Sequence, residues 1–337
     1  MESGERIFEP DYLDKEDTSE TGLRPRNFGE YVGQKKILDN VKVMVESALI
    51  REQAMDHLLL SGPPGLGKTS LAMIIAHELG VQLHVVSGPA IEKKGDLAAI
   101  LTGLEPRDLL FIDEIHRMHV SVEEILYSAM EDFRLDIVIG QGAAARTMKI
   151  DLAPFTLVGA TTRSGLLSNP LRDRFMGDLH FDFYEPVDLA QILATNSKKL
   201  KLTVTDQALE TMSKCARGTP RIANRILRRV RDFAVVGRQE EIGQNEVTKA
   251  LELMEIDANG LDRMDRKILS VILDYYKGGP VGIEALSATL GEDRQTIEEV
   301  YEPYLLKEGF LLRTPRGREI SQRSRDFLVG QTSLKFT

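Results

Sequence analysis

From about residue 21 to Tyr184, short apolar runs alternate with longer amphipathic stretches. The runs at 57–61, 83–87, 108–113, 155–161 and 179–183 are rich in Leu, Ile, Val and Phe and too short for helices, so they read as strands. Strands separated by helix-length segments predict an α/β domain whose parallel sheet carries helices on both faces. One stretch departs from this rhythm. Residues 134–140 and 146–152 alternate like paired strands around Gln141-Gly142-Ala143. A hairpin placed just before a core strand projects from the domain, and such projections more often bind partners than fill cores.

Residues 185–257 read as helices only. One helix starts at Thr219-Pro220, a cap residue with Pro in the first turn, and carries the apolar stripe Ile222, Ile226, Leu227, Val230. Asn259-Gly260 marks a boundary. Beyond it come helices at 262–276, 283–290 and 293–307, then two short strands about Thr314-Pro315-Arg316-Gly317, the element order of a winged helix. Pro303 should bend the third of these helices. The first twenty residues lack apolar periodicity and read as a loose arm. The expected domains are therefore 1–20, 21–184, 185–257 and 258–337.

The strand at 57–61 runs into Gly62-Pro63-Pro64-Gly65-Leu66-Gly67-Lys68-Thr69, and residues 69–79 read as a helix. This is G-x-x-x-x-G-K-[ST] in its required context, a complete phosphate-binding loop. Its glycines let backbone N–H groups turn inward around phosphate oxygens at the positive end of the helix. Lys68 adds a point charge for the terminal phosphates and Thr69 a hydroxyl for Mg²⁺. Chance should produce the pattern in about one percent of chains this long, so a plain Gly-rich turn starts far behind.

Some forty residues on, Leu109-Leu110-Phe111-Ile112-Asp113-Glu114 is a buried strand ending in two carboxylates. Asp113 is placed to hold Mg²⁺ through water, and Glu114 to orient and deprotonate an attacking water. Thr161 ends the strand at 155–161 with a hydroxyl for the γ-phosphate or that water, a weak sign alone because Thr is at home in strands. Arg221 sits in the first turn of its helix, where a cation opposes the helix dipole unless an anion lies close. A solvated arginine is the plainer alternative there. Arg174, with Arg172 as competitor, can reach across a subunit boundary to a neighbour's γ-phosphate. His116 and His119 are spaced like helical metal ligands but have no third partner, and read as surface or supporting groups.

Composition changes this picture in one respect. Apolar content of 42% and charged content of 28% are those of a soluble globular chain, and no apolar run is long enough to span a membrane. Nothing addresses the chain out of the cytoplasm. The lone Cys215 excludes an internal disulfide and reads as a small packed side chain. The net charge of −9 argues against nucleic acid, but it hides an asymmetry. Residues 1–20 carry −6, residues 214–238 carry +7 and residues 311–337 carry +4. Two basic blocks in an acidic chain ask for anionic partners.

The phosphate loop, Asp113-Glu114, 159–163, 171–175 and 218–221 together resemble the AAA+ ATPases. The finer wording is similar to the RuvB family of bacterial Holliday-junction branch-migration motors: Leu23-Arg24-Pro25, Tyr31-Val32-Gly33-Gln34, 57–69, Lys94-Gly95-Asp96-Leu97, 111–116 and 313–318. The resemblance runs from about Thr21 to the C-terminus, with several unrelated motifs in order. It implies an AAA+ P-loop ATPase domain, a small helical lid and a C-terminal winged helix. It also implies an ATP hydrolase that translocates duplex DNA with ATP and Mg²⁺ in recombination and repair, as a homo-oligomeric ring, a hexamer. Leu23 and Arg24 would meet the adenine side, and Gly65, Gly67, Lys68, Thr69 and Ser70 the phosphates, with Thr69 and Asp113 at the metal. Glu131, Asp132 and Phe133 would line the nucleotide edge. Arg174 would be the arginine finger, Tyr184 a nucleotide contact and Arg221 the lid arginine. Arg294, Arg313 and Arg318 would touch DNA. The 134–152 hairpin would dock RuvA, with RuvC in the larger complex. Met176 stands where the family usually has Gly after Arg-Phe, which bears on the loop carrying Arg174.

Two other functions compete. An initiator or origin-binding AAA+ protein shares the nucleotide chemistry, but the hairpin and the Arg-Thr-Pro-Arg-Gly-Arg wing favour a motor. A non-hydrolysing, clamp-loader-like subunit would lose the acid pair or the finger, and this chain keeps both.

Overall fold

The computed structural model describes residues 22–139 and 146–334, so the expected arm at 1–20 and the hairpin tip around Gln141 lie outside the described residues. By its internal contacts the chain divides into two compact units. One is Met1–Gly62 with Leu66–Asp182; the other is Pro63–Gly65 with Phe183–Thr337.

The first unit is the predicted α/β layer. In chain order it holds α1 (Lys35–Arg51), β1 (Leu58–Ser61), α2 (Lys68–Leu79), β2 (Leu83–Ser87), α3 (Lys94–Thr102), β3 (Leu109–Asp113) and α4 (Val120–Asp132). The hairpin strands β4 (Arg134–Ile139) and β5 (Arg146–Asp151), then β6 (Thr156–Thr161), α5 (Asn169–Arg172) and β7 (Gly177–His180), complete it. The sheet order is β2-β3-β6-β1-β7, and every neighbouring pair within it is parallel. Strands β1 and β6 are buried along their whole length, which is why they read as unbroken apolar runs. Register sets Ser61 beside Thr161 and Ser87 beside Asp113, so the carboxyl ends of β1, β6 and β3 form one rim. Ligands of open α/β sheets bind at such a rim. Phe155, Leu110, Ile112, Leu97, Leu126 and Leu157 belong to one fully buried core cluster.

The last strand begins two residues earlier than its apolar run suggests. Edge strand β7 pairs with β1 alone, and its side chains alternate between partly covered and exposed, so apolar content is a poor guide to its bounds.

The second unit holds α6 (Pro186–Lys199), α7 (Asp206–Cys215), α8 (Pro220–Val236) and α9 (Gln244–Leu253). The helices-only expectation misses β8 (Thr203–Val204) and β9 (Glu241–Ile242), a parallel pair too short to show alternation. Thr219 precedes α8 as expected, but its hydroxyl donates to Ala216 O (3.2 Å) instead of capping the helix. The winged-helix order follows: α10 (Arg263–Tyr276), α11 (Ile283–Leu290), α12 (Arg294–Thr296), α13 (Glu302–Lys307), and the antiparallel wing β10 (Leu311–Thr314) and β11 (Gly317–Ile320), closed by α14 (Gln322–Leu334). Between α12 and α13 the backbone widens into a π turn over Ile297–Tyr301. Pro303 lies two residues beyond and cannot donate to the ladder, so the expected bend takes the form of a wider turn. Among the described residues no helix is long and apolar enough to cross a membrane.

Candidate nucleotide and DNA sites

The phosphate loop begins where β1 ends. Gly62 has φ 129°, a region closed to most side chains, and a Cβ there would stand 2.5 Å from Phe181 O. Its N–H donates to Thr161 O (3.2 Å), pinning the loop to β6. Gly67 (φ 98°) opens α2, whose first N–H groups have no partner within the helix. Lys68 is 8% exposed and its Nζ donates to Gly62 O at 2.7 Å, so the ammonium is held over the loop. Thr69 and Ser70 are half-buried beside it in sequence. Upstream, the chain follows α2: Arg24 donates to Met73 Sδ (3.6 Å), Phe28 N to Glu78 Oε1 (3.2 Å) and Tyr31 OH to Gly67 O (3.4 Å). Leu23 is buried in the same segment.

On the same rim β3 delivers Asp113 and Glu114, both half-buried. Asp113 Oδ1 accepts the Glu114 N–H (2.9 Å), and Glu114 takes the left-handed conformation (φ 52°, ψ 39°), which turns the chain sharply after the strand. Its carboxylate lies 3.4 Å from Arg117. Thr161 Oγ1 accepts the Arg163 N–H (2.9 Å) and bonds His116 Nδ1 (2.9 Å). The histidine therefore supports the hydroxyl, while His119 caps α4 by accepting from Ser121 N. The expectation that His116 and His119 are surface or supporting groups agrees with these bonds. Sequence reasoning missed Ser61, whose hydroxyl donates to Asp178 Oδ1 (2.5 Å) and contacts His180 Nδ1 (3.1 Å), tying β1 to the edge strand.

Glu131, Asp132, Phe133 and Arg174 gather at the other end of β1. His57 leads into that strand. Its Nδ1 accepts the Leu157 N–H (2.9 Å), so its Nε2–H donates to Met130 O (3.1 Å), and its own carbonyl accepts the Met176 N–H (2.9 Å). One buried histidine thus braces β6 and the end of α4 through its ring and the loop after Arg174 through its carbonyl. Burial holds its pKa below the usual value, in keeping with the neutral tautomer these bonds require. Arg174 bonds Glu131 (2.8 Å), Tyr127 O (3.2 Å) and Pro170 O (2.7 Å) and stacks over the Tyr127 ring. Its competitor Arg172 donates to Asn169 Oδ1 (3.2 Å). Asp132 pairs with Arg134 (2.9 Å). His57, Met130, Phe133, Arg174, Phe175 and Met176 border a cleft of about 840 Å³. The departure at Met176 leaves the backbone anchored to His57 and the residue 72% exposed.

In the second unit, Tyr184 is buried and its N–H donates to Gly218 O (2.8 Å). Arg221 is exposed on α8, with its N–H 3.4 Å from Gly65 O. Arg318, expected to face DNA, points inward with 7% of its side chain exposed, donating to Glu302 (2.8 and 3.1 Å) and Glu298 (3.0 Å). It lies two residues from buried Ile320 on β11 and so shares its core-facing side, where the two acids attract it. Its cross-strand partner Arg313 shares that side but stays exposed, and Arg316 is exposed in the turn between the strands. Burial alone would lower its pKa, but the bonds to Glu302 and Glu298 raise it. Arg313 is 62% exposed, and Arg294, 54% exposed, pairs with Glu284 (2.5 Å) and Glu298 (3.5 Å).

Three family models cover most of the chain: the Holliday junction DNA helicase RuvB P-loop domain at 23–181, the RuvB AAA lid domain at 184–257 and the RuvB C-terminal winged helix domain at 258–329. The chain belongs to the RuvB family. It is 54% identical to the Holliday junction branch migration complex subunit RuvB of Kosmotoga olearia over 320 residues, 95% of this chain and 93% of that one. The Myxococcus xanthus subunit of the same name is 55% identical, covering 95% and 94%. The solved Thermotoga maritima RuvB Holliday junction branch migration motor matches with a TM-score of 0.85 at 50% identity, over 91% of this chain and 98% of that one. The P-loop AAA+ ATPase with lid and winged helix, expected from sequence, is the fold and the enzyme class of this chain.

Proposed function

We propose that this chain is the motor subunit of a Holliday-junction branch-migration complex, turning ATP hydrolysis into movement of duplex DNA. Its main support is that one chain carries two halves of an ATPase site at opposite ends of β1. The phosphate loop follows Ser61, whereas Arg174 and Glu131 neighbour in sequence the residues that His57 bonds, Met176 and Met130, on the order of 15 Å away along the strand. An arginine fastened at that end serves the nucleotide of a neighbouring subunit, so the active form is a ring, and the family's hexamer suits it. Glu131, Asp132 and Phe133 share that end and reach the nucleotide edge from the same side.

Within one subunit, Leu23 and Arg24 receive the adenine side and Gly65, Gly67, Lys68, Thr69 and Ser70 bind phosphates, while Tyr184 and Arg221 are the nucleotide contacts that the lid contributes. The rim fits Mg²⁺: the Thr69 hydroxyl and the Asp113 carboxylate are hard oxygen donors, and a magnesium ion shared with phosphates needs only one or two protein ligands. When bound, the ion would neutralise charge developing on the phosphates. Glu114 takes the proton of the attacking water. With His116 Nδ1 protonated, Thr161 accepts two hydrogen bonds and keeps its own proton to donate to the γ-phosphate or the water. Arg174 stabilises transition-state charge in trans.

The domains follow as 21–184 for ATP hydrolysis, 185–257 for the lid and 258–337 for DNA. Arg313, Arg316 and Arg294 contact phosphates without reading bases, as a motor on arbitrary sequence requires. The 134–152 hairpin docks RuvA, with RuvC joining the larger assembly in the cytoplasm. Branch migration of a synthetic four-way junction tests the proposal. Migration that needs ATP and RuvA supports it. Steady ATP turnover with a junction that never moves points instead to an initiator-type ATPase.

A further inference from the structure

Between the lid and the winged helix lies a buried polar seam that the ATPase chemistry does not use. Arg217 ends the turn after α7 in the left-handed conformation (φ 56°), 6% exposed, four residues before Arg221. Its guanidinium forks onto Asp265, with Nη1 at 2.9 Å and Nη2 at 3.1 Å, and Nη1 also reaches Asp262 at 3.2 Å. The two acids are already committed to α10. Asp262 caps the helix by accepting from Met264 N and Asp265 N, and Asp265 Oδ2 accepts the Asp262 N–H (2.9 Å). Tyr304 of α13 lies against the guanidinium, 4.7 Å from ring to charge, and its hydroxyl donates to Asn259 O (2.7 Å). The next residue adds a close approach. A Cβ on Gly218 (φ 69°) would stand 2.9 Å from Phe183 Cβ and 3.2 Å from Lys307 Nζ, which itself lies over the Phe183 ring.

Thus two helices of the winged helix grip one turn of the lid, and that turn leads directly into the helix that starts at Pro220 and carries Arg221. We propose that Arg217 is a positioning residue that makes lid and winged helix one lever, so that movement of Arg221 with nucleotide state is delivered to the DNA-holding wing. This rests on the roles given above to Arg221 and to the wing arginines. A bidentate, stacked guanidinium suits the task because it fixes direction as well as distance, which a lysine does not. Burial pushes the Asp265 carboxyl up to about 7 against the pull of Arg217. Removing Arg217 should therefore let Asp265 take a proton and stay folded as a capping group, without leaving a bare buried charge.

Arg217→Met should keep ATP turnover near the wild-type value while base pairs migrated per ATP fall about tenfold. Arg217→Lys should recover part of the loss. An unchanged ratio in Arg217→Met, or turnover and migration falling in proportion, overturns the proposal. Should Arg217→Met fail to fold, spin labels at Glu240→Cys and Asp274→Cys in the otherwise native chain decide. The buried Cys215 thiol, pushed up to about 11, stays unlabelled. One lid-to-wing distance shared by the nucleotide-free and ATP-bound rings supports the lever, and a shift larger than the width of the distribution overturns it. Arg221→Ala and Arg313→Ala, run in parallel, test the underlying roles separately: normal turnover in the first or undiminished DNA binding in the second refutes those roles directly.

Discussion

Arg318→Ala separates a structural arginine from one that holds DNA. In the folded protein this guanidinium is the main partner of two acids, Glu302 at 3% and Glu298 at 13% side-chain exposure. Breaking a buried pair by removing one partner costs about 3–5 kcal/mol, because the other charge stays buried. Partial substitutes remain nearby: Arg313 at 4.0 Å from Glu302 and Arg294 at 3.5 Å from Glu298. The low end, ~3 kcal/mol, is therefore expected, a factor on the order of 100 in the folding equilibrium of the second unit. For a unit of this size that corresponds to a fall in melting temperature of roughly 6–12 °C. The chain has no tryptophan, so the melt is followed by circular dichroism at the helical band. DNA affinity is measured on a labelled duplex well below the melt, across a salt series. Arg318→Ala should keep the wild-type salt slope, whereas Arg313→Ala or Arg316→Ala should lower it by ~0.9 for each phosphate no longer neutralised. A variant that melts like wild type yet binds DNA weakly with a shallower slope would show that Arg318 leaves its carboxylates to hold phosphate, and the inward assignment would fail.

Lys68→Ala should abolish nucleotide binding or hydrolysis, and Glu114→Gln should retain ATP without turnover; normal hydrolysis in the second removes Glu114 from the mechanism. Arg174→Ala should bind ATP but lose ~10³–10⁵ in rate. Mixing it with Lys68→Ala protein should restore some turnover, and mixed rings that form but stay inactive would count against action in trans. For His57 the folded pKa lies below the unfolded value near 6.5, so below that pH the unfolded chain binds the extra proton. Stability should fall as pH drops from about 6.5, by at most about 1.4 kcal/mol per pH unit for this group. His57→Gln should flatten that part of the profile, and an unchanged slope in the variant would show that other groups set it.

Much of this protein is legible in one dimension because its chemistry is local. The phosphate loop is eight consecutive residues between a strand and a helix, and Asp113 and Glu114 follow a strand that its own apolar run defines. Element order suffices for the parallel sheet and the winged helix, since strands buried on both faces and helices with one apolar stripe leave different periods in the sequence. What only the tertiary structure decided concerns side chains whose partners are distant in the chain. Arg217 meets Asp265 across 48 positions, His57 meets Leu157 across 100, and Thr161 meets His116 across 45. No local period records such pairs. The wing shows the same limit at closest range. Arg313, Arg316 and Arg318 look alike as a basic cluster, and Arg313 even faces Arg318 across the wing, but of the three it is Arg318 that is buried against both Glu298 and Glu302. Closeness to acids on another element, and not the strand face, separates a buried structural charge from two that remain exposed.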